Sequence, residues 1–467
     1  MTNGVKLFLF LLSSVAIFTN GCSRPYPSNR PNIVLIIGDD HGYPYFGFMG
    51  SEIVQTPNMD ALAKSGMVFS QGYVPENHCR PALNSLVTGL LPIDYAKKLD
   101  SIKYSKMQSE NYLSLSDEEK TKWKKEFGYH GLQHFMTLPK QLQSIGYKSF
   151  QSGKWWEYHY EYGGFTDGMT KGWSWGMRDG MNWFEQLMGG EGIAIGRKTN
   201  QPVYDFIDKN LDDPFFVWYG PSLPHYPFDA PEKFLSLYEN KGYSKSAVSY
   251  YANCTWFDEC VGKLIDHLKS RGVYDNTLFI YVNDNGWDQE PYDEYSDDPM
   301  RSHNGGDKGK LSITDLSYRT PVIFSWNNVI ESESRKSELV HSTDIPATIL
   351  DLVGLDTPSN YFGKSLKRMI AGETQIERPY IYGNSKKMRD ETDEMGRDVE
   401  NLWLRKENWF FRWNLTDDEL YLYDVLNDPY CNLNLITEHT SISEDLKSTL
   451  VKEYENRMAT VLKDKAF

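Results

Sequence analysis

The chain reads as an α/β protein: a largely parallel central sheet sandwiched by helices, plus a smaller C-terminal subdomain with a short antiparallel sheet and a helix. Three observations predict this. The first is a set of short apolar runs without polar alternation: "NIVLII" (32–37), "FFVWYG" (215–220), "TLFIYV" (277–282) and the weaker "YKSFQS" (147–152). Such runs fit strands buried on both faces, as in parallel sheets. The second is their alternation with helical patterns over 57–66, 137–146, 248–271 and 342–353. The third is a change after about residue 375. There "RPYIYGN", "LWLRKENWFFRWN" and "ELYLYDVLNDP" alternate like antiparallel strands, and "SEDLKSTLVKEYENRMATVLKD" reads as a closing helix.

At 467 residues the chain is long enough for a large core and for two domains. The formal charge of −15 argues against nucleic-acid binding, which needs a basic face. It also means that an anion site must build its own local positive field. The first 21 residues read as an export signal: Lys6 is the sole charge and "LFLFLLSSVAIF" is too short to span a membrane. The "TNGC" that ends it resembles a bacterial lipoprotein cleavage site with Thr19 where Leu is usual. Cys22 is then a candidate for lipidation and membrane attachment, and residues 22–30 form a tether. The expected location is the periplasm or the outer membrane. Cys254 and Cys260 lie six residues apart in a helical pattern, about 9 Å along the axis, too far for a disulfide. With Cys431 they read as packing residues.

Each apolar run is followed, at its carboxyl end, by polar residues able to act on a ligand. "GDDHG" supplies Asp39 and Asp40, "GKWWEY" Lys154, "PSLPHYP" His225, and "NDNGW" Asp284 and Asn285. Alone, "DD" is usually a cap or turn and "DNG" a tight turn. In open α/β sheets, however, ligands bind outside the carboxyl ends of the strands, and these loops converge there. Three carboxylates and an amide carbonyl are hard oxygen donors, suited to Ca²⁺ or Mg²⁺. "GGDKGKLSITDLSYRTPVIF" adds Lys308 and Lys310 before a strand-like end. A lysine beside a metal and opposite another lysine makes an anion clamp.

"ENHCRPALNSLVTGLLP" places Cys79 at the start of a helical run, with Pro81 in its first turn and Leu83, Leu86, Val87 and Leu90 at helical spacing. The ordinary reading of one such thiol is core packing. The alternative is that it sits where a helix offers unsatisfied N–H groups and a positive dipole end.

These pieces in this order, from about residue 31 to 467, resemble the type I, formylglycine-dependent sulfatases of the alkaline-phosphatase superfamily. The resemblance is carried by "RPNIVLIIGDD", "TPNMDALAKSGMVFSQGYV", "CRPALNSLVTG", "GKW", "PHYPFDAP", "NDNG", "KGKLSITDLSYRTP", "HSTDIPATILDLVG" and "LYDVLNDPYCNLNLI". It implies an alkaline-phosphatase-like fold with a catalytic domain over 31–375 and a C-terminal subdomain over 376–467. It also implies that Cys79, first residue of the Cys-x-Pro-x-Arg motif, is oxidised to formylglycine (3-oxoalanine) by a separate maturation enzyme. The hydrated aldehyde would attack sulfur. Asp39, Asp40, Asp284, Asn285 and the modified Cys79 would hold Ca²⁺. Lys154 and Lys310 would clamp sulfate, Lys310 rather than Lys308 because it lies five residues before Asp315 and nine before Arg319. His225 would assist the leaving group, with a pKa near neutrality.

Two positions depart from the family pattern. Leu83 stands where the motif has Arg, with Arg80 adjacent. Trp156 stands where "GKWH" has His, so His159 or His303 is a candidate replacement imidazole. Arg80, Trp156, His159 and His303 are therefore candidate substrate-binding residues. Three outcomes stay open: a divergent sulfatase, one matured unusually, or an inactive glycan-binding relative. A phosphodiesterase or phosphonate ester hydrolase of the same superfamily is a further alternative, disfavoured by the lack of a second Asp/His cluster. Residues 94–136, polar and charged, read as an insertion near the site mouth. The aromatic, Gly-interleaved stretch 155–183 reads as a loop platform, which points to a sulfated carbohydrate substrate.

Overall fold

A computed structural model describes residues 30–172, 183–287, 308–373, 378–386 and 399–455. The export signal, Cys22, the rest of the tether up to residue 29, Trp173, Trp175 and His303 lie outside these. Eight strands form the main sheet: β1 (Asn32–Gly38), β2 (Met67–Tyr73), β3 (Lys148–Gly153), β4 (Asp167–Gly168), β5 (Phe215–Gly220), β6 (Thr277–Asn283), β7 (Arg319–Trp326) and β8 (Ser334–His341). Their spatial order is β4-β3-β5-β1-β6-β7-β2-β8. The β4-β3-β5-β1-β6 half is wholly parallel. The strand-like "TPVIF" forms β7, which runs antiparallel to both neighbours, β6 and β2.

Strand β1 shows why this sheet is buried on both sides. Successive side chains of a strand point to opposite faces. Ile33, Leu35 and Ile37 join one core with Leu83, Leu86 and Leu90. Val34 and Ile36 join the other with Met59, Leu62 and the helix Lys245–Ser270. A run with no polar face is what two covered faces require. Two short helices pack on opposite faces of this sheet: α1 (Pro57–Lys64) through Met59 and Leu62, and α2 (Cys79–Thr88) through Leu83 and Leu86.

The insertion read at 94–136 is helical, with helices Pro92–Met107, Glu110–Leu113 and Asp117–Tyr129. Ser116 and Glu119 form a reciprocal cap at the start of the third. Polar and charged as the stretch is, its Leu99, Phe127, Leu132 and Phe135 are buried in the same core as Leu83 and Leu86 of α2.

A second sheet has the order β12-β11-β10-β9, all antiparallel: β9 (Tyr380–Lys386), β10 (Val399–Lys406), β11 (Trp409–Asn414) and β12 (Leu420–Asp424). The helix Thr440–Tyr454 packs Leu446, Leu450 and Tyr454 against its apolar face. The opposite face, through Trp403 and Phe410, packs on Tyr73 and Tyr318 of the main unit.

Candidate active site

Parallel register brings the loop residues together. Gly38 pairs with Asn283, so the residues after β1 and after β6 leave the sheet side by side. The amide of Asp40 donates to Asp284 Oδ1 at 3.0 Å. Gly153 pairs with Gly220, which sets Lys154 beside the His225 loop. Gly153 has φ +83°, and a Cβ there would overlap the Gly220 carbonyl, so glycine alone admits this close approach.

Cys79 is the first residue of α2, and His78 before it supplies no side-chain cap. The Cys79 sulfur lies 3.1 Å from Lys154 Nζ, 3.2 Å from Lys310 Nζ and 3.3 Å from Asn285 Nδ2. Asp40 Oδ1 is 3.7 Å away. Lys310 bonds both oxygens of Asp40 at 2.7 and 2.8 Å. Lys154 bonds Asp39 and lies 3.8 Å from Asp284 Oδ2. His225 Nε2 is 3.5 Å from Asp40 Oδ2. All eight residues are buried.

Burial pushes the Cys79 thiol up to about 12, with Lys154 and Lys310 opposing and Asp284 and Asp40 adding to the rise. Burial would also raise Asp40, but Lys310, His225 and Lys154 hold its carboxyl well below the usual range. Asp284 goes the other way, pushed up to about 7 by burial and by Asp39. Burial would lower Lys154, yet Asp39, Cys79 and Asp284 hold it above the ordinary lysine value. The expected near-neutral imidazole is not found. Burial pushes His225 down to about 4, and Lys154 and Lys310 add to this against Asp39 and Asp40. An anion held between the two lysines would shift it back up.

The cluster fits a hard cation. Asp39, Asp40, Cys79 and Asp284 each bring a donor atom within 4.8 Å of the others. Asp284 Oδ2 and Asn285 Oδ1 are buried without a hydrogen-bond partner. Buried acceptors left unpaired are costly, and a cation among them removes that cost.

Of the four candidate substrate-binding residues, His303 lies outside the described residues, and the other three are not drawn around the sulfur. Arg80 turns away from the sulfur. Its guanidinium pairs with Glu157 at 2.7 Å, donates to the Gly128 carbonyl and lies over the Tyr129 ring. Both members of this ion pair are buried. Leu83 packs in the core. Trp156 is half-buried, its ring centroid 5.7 Å from Lys154 Nζ. His159 is not brought into the cluster; it contacts Tyr160, Tyr162 and Glu161. Trp155 is no platform residue either: it is buried against Phe165 and Trp218. Tyr158, Tyr160 and Tyr162 stay half-buried. Lys308 faces the C-terminal unit, donating to the Cys431 carbonyl at 2.6 Å.

Two residues escaped the sequence reading. Ser222 donates to Asp39 Oδ2 at 2.9 Å. Arg197 binds the backbone of the loop that carries both Ser222 and His225. A lone Arg in "AIGRKTN" gives no signal of this in the sequence.

Comparison with known proteins agrees with this geometry. Residues 31–355 match the sulfatase family model, and residues 307–457 match that of the N-sulphoglucosamine sulphohydrolase C-terminal region. An arylsulfatase of Clostridium perfringens is 25% identical over 501 residues, covering 92% of this chain and 95% of that one. The N-acetylgalactosamine-6-sulfatase of Mus musculus is 25% identical, covering 86% and 76%. A solved protein in complex with its substrate, D-glucosamine-2-N,6-O-disulfate, superposes with a TM-score of 0.63 at 18% identity, covering 92% and 99%. The chain belongs to the sulfatase family, within the alkaline-phosphatase superfamily.

Proposed function

We propose that the protein hydrolyses sulfate esters of a sulfated carbohydrate, using formylglycine made from Cys79 and a bound Ca²⁺. The observation that carries this is the meeting of two lysines, an imidazole, three carboxylates and an amide around one buried sulfur at the start of a helix. A sulfur that only packs has no use for such company. Named relatives that act on sulfated sugars support the substrate class.

Asp39, Asp40, Asp284 and Asn285 would hold the cation together with the oxidised side chain of residue 79. The oxidised residue 79, as its hydrate, would supply the nucleophile, and the cation, when bound, would supply Lewis-acid activation. The protein's own residues do the rest. Lys154 and Lys310 flank Cys79 and neutralise the sulfate oxygens as charge builds. The start of α2 adds dipole and N–H groups to the same field. His225 Nδ1 contacts the Tyr226 carbonyl, an acceptor, so Nδ1 carries the proton of the neutral ring. Nε2 is then directed into the cluster, where a proton gained on anion binding goes to the departing alcohol oxygen.

The half-buried Trp156, its ring centroid 5.7 Å from Lys154 Nζ, is the surface against which a sugar ring would stack. Arg80 is placed to hold α2 against the strand end that bears Lys154, through Glu157. Export through the N-terminal signal, attachment through Cys22 and activation by a maturation enzyme complete the reading. No helix among the described residues is long and apolar enough to cross a membrane. The test is release of inorganic sulfate from a panel of sulfated mono- and oligosaccharides, with Cys79→Ala as the negative. Sulfate released only by the unmutated chain supports the reading. No release by protein shown to carry the aldehyde rejects it.

A further inference from the structure

The loop 221–229, "PSLPHYPFD", contains three prolines and so three residues without an N–H. Carbonyls therefore outnumber amide donors there, and something else must satisfy them. Arg197 does so. Its Nε and Nη2 donate to the Ser222 carbonyl at 2.9 and 2.7 Å. Nη2 also donates to the His225 carbonyl at 2.5 Å, and Nη1 to the Pro227 carbonyl at 3.1 Å. Nη1 is paired with Asp229. The guanidinium lies over the Trp256 ring at 5.6 Å, and the side chain is only 10% exposed. Asn253 adds two longer bonds to the Pro224 and Pro227 carbonyls, at 3.3 Å each.

One fork of donors thus spans the loop from Ser222, which bonds Asp39, to His225, which faces Asp40. Five N–H groups in a rigid plane suit this; an ammonium cannot reproduce it. We propose that Arg197 is a positioning residue for the leaving-group step, fixing where His225 stands relative to the reacting sulfate ester. This rests on the sulfatase reading above. Arg197 itself touches no reacting atom.

The test uses the full chain carrying the oxidised Cys79, as Arg197→Met, Arg197→Lys and His225→Gln. Hydrogen exchange is followed in peptides covering 221–229 and 79–88. Rates of hydrolysis are taken for a series of aryl sulfates with phenols of increasing pKa. The proposal predicts faster exchange in 221–229 and none in 79–88 for Arg197→Met, with Arg197→Lys between it and the unmutated chain. It also predicts a steeper dependence on phenol pKa. Loss should approach about 100-fold for the least acidic phenol and stay within about tenfold for the most acidic, as expected when general acid help is lost. His225→Gln should steepen the series likewise. If His225→Gln steepens it and Arg197→Met slows all substrates alike, the proposal fails. If His225→Gln does not steepen it, the leaving-group reading itself is wrong. Unchanged exchange in 221–229 overturns Arg197's role whatever the kinetics show.

Discussion

Cys79 and Cys254 are both buried cysteines at helical positions, and in both burial pushes the thiol well above its ordinary pKa. There the likeness ends. Cys254 sits within the long helix Lys245–Ser270, among the apolar residues that cover one face of the main sheet. Cys79 starts a helix at the sheet's carboxyl edge, with two ammonium groups and an amide within 3.3 Å. Burial is common to both, so burial alone does not tell them apart. What separates them is what the neighbouring strand ends deliver.

The sharpest way to break this comparison is to truncate each sulfur. Cys79→Ala should cut sulfate release at least about 1,000-fold, since it removes the nucleophile's only source. Cys254→Ala should leave turnover within a few-fold and cost about 0.5–3 kcal/mol of stability, read by denaturant unfolding. Equal losses of activity in the two variants would erase the distinction.

Next come the lysines. Lys154→Met and Lys310→Met should each lower kcat about 100- to 1,000-fold, the scale of losing one preorganised donor to developing charge. Lys308→Met, two residues from Lys310 but turned to the Cys431 carbonyl, should not. Steady-state kinetics on one sulfated substrate reads all three.

The proposed cation site is probed through its carboxylates. Chelation should lower the thermal midpoint and Ca²⁺ should restore it. The stabilisation is about 2.7 kcal/mol when free ion exceeds its dissociation constant 100-fold. Asp284→Asn should abolish most of that response. A midpoint indifferent to chelator and to Ca²⁺ would remove the cation from the account.

A stability effect with no bearing on turnover separates burial alone from burial with chemistry. His341 lies at the end of β8, is buried, and is pushed down to about 3 by that burial. Its folded pKa lies below the unfolded value of about 6.5, so the unfolded chain binds a proton that the folded one refuses. Stability therefore falls as pH drops from about 6.5 towards 3, at up to about 1.4 kcal/mol per pH unit from this group. His341→Gln should make the fall shallower by that amount in urea unfolding across the window. An unchanged slope would show that His341 is not the group responsible.

The strands beside the site were legible because a strand buried on two faces must be apolar throughout; β1, β5 and β6 could hardly be anything else. Their polar successors, Asp39, Asp40, His225, Asp284 and Asn285, were legible because topology sends such residues to one edge. Strands β2 and β8 gave less signal. "MVFSQGY" carries Ser70 and Gln71, and "SRKSELVH" is mostly polar because β8 is the sheet's edge. The aromatic stretch misled because aromatic density does not say which ring faces inward. Trp155 fills the core while its neighbour Trp156 stays half-buried beside Lys154. Arg80 and Arg197 were opaque for another reason. Their partners, Glu157 and the carbonyls of 222–227, lie 77 and about 28 residues away, and one of those partner sets is backbone, which no sequence pattern announces.

The central claim is that Cys79 is a precursor. Mass spectrometry of the peptide spanning Cys79, from protein purified from its native host with sulfate release measured on the same sample, tests it most directly. Replacing the thiol by an aldehyde lowers the peptide mass by about 18 Da, as SH and H give way to O. The account predicts that active protein carries this loss. Active protein with a free thiol at Cys79 throughout would contradict it.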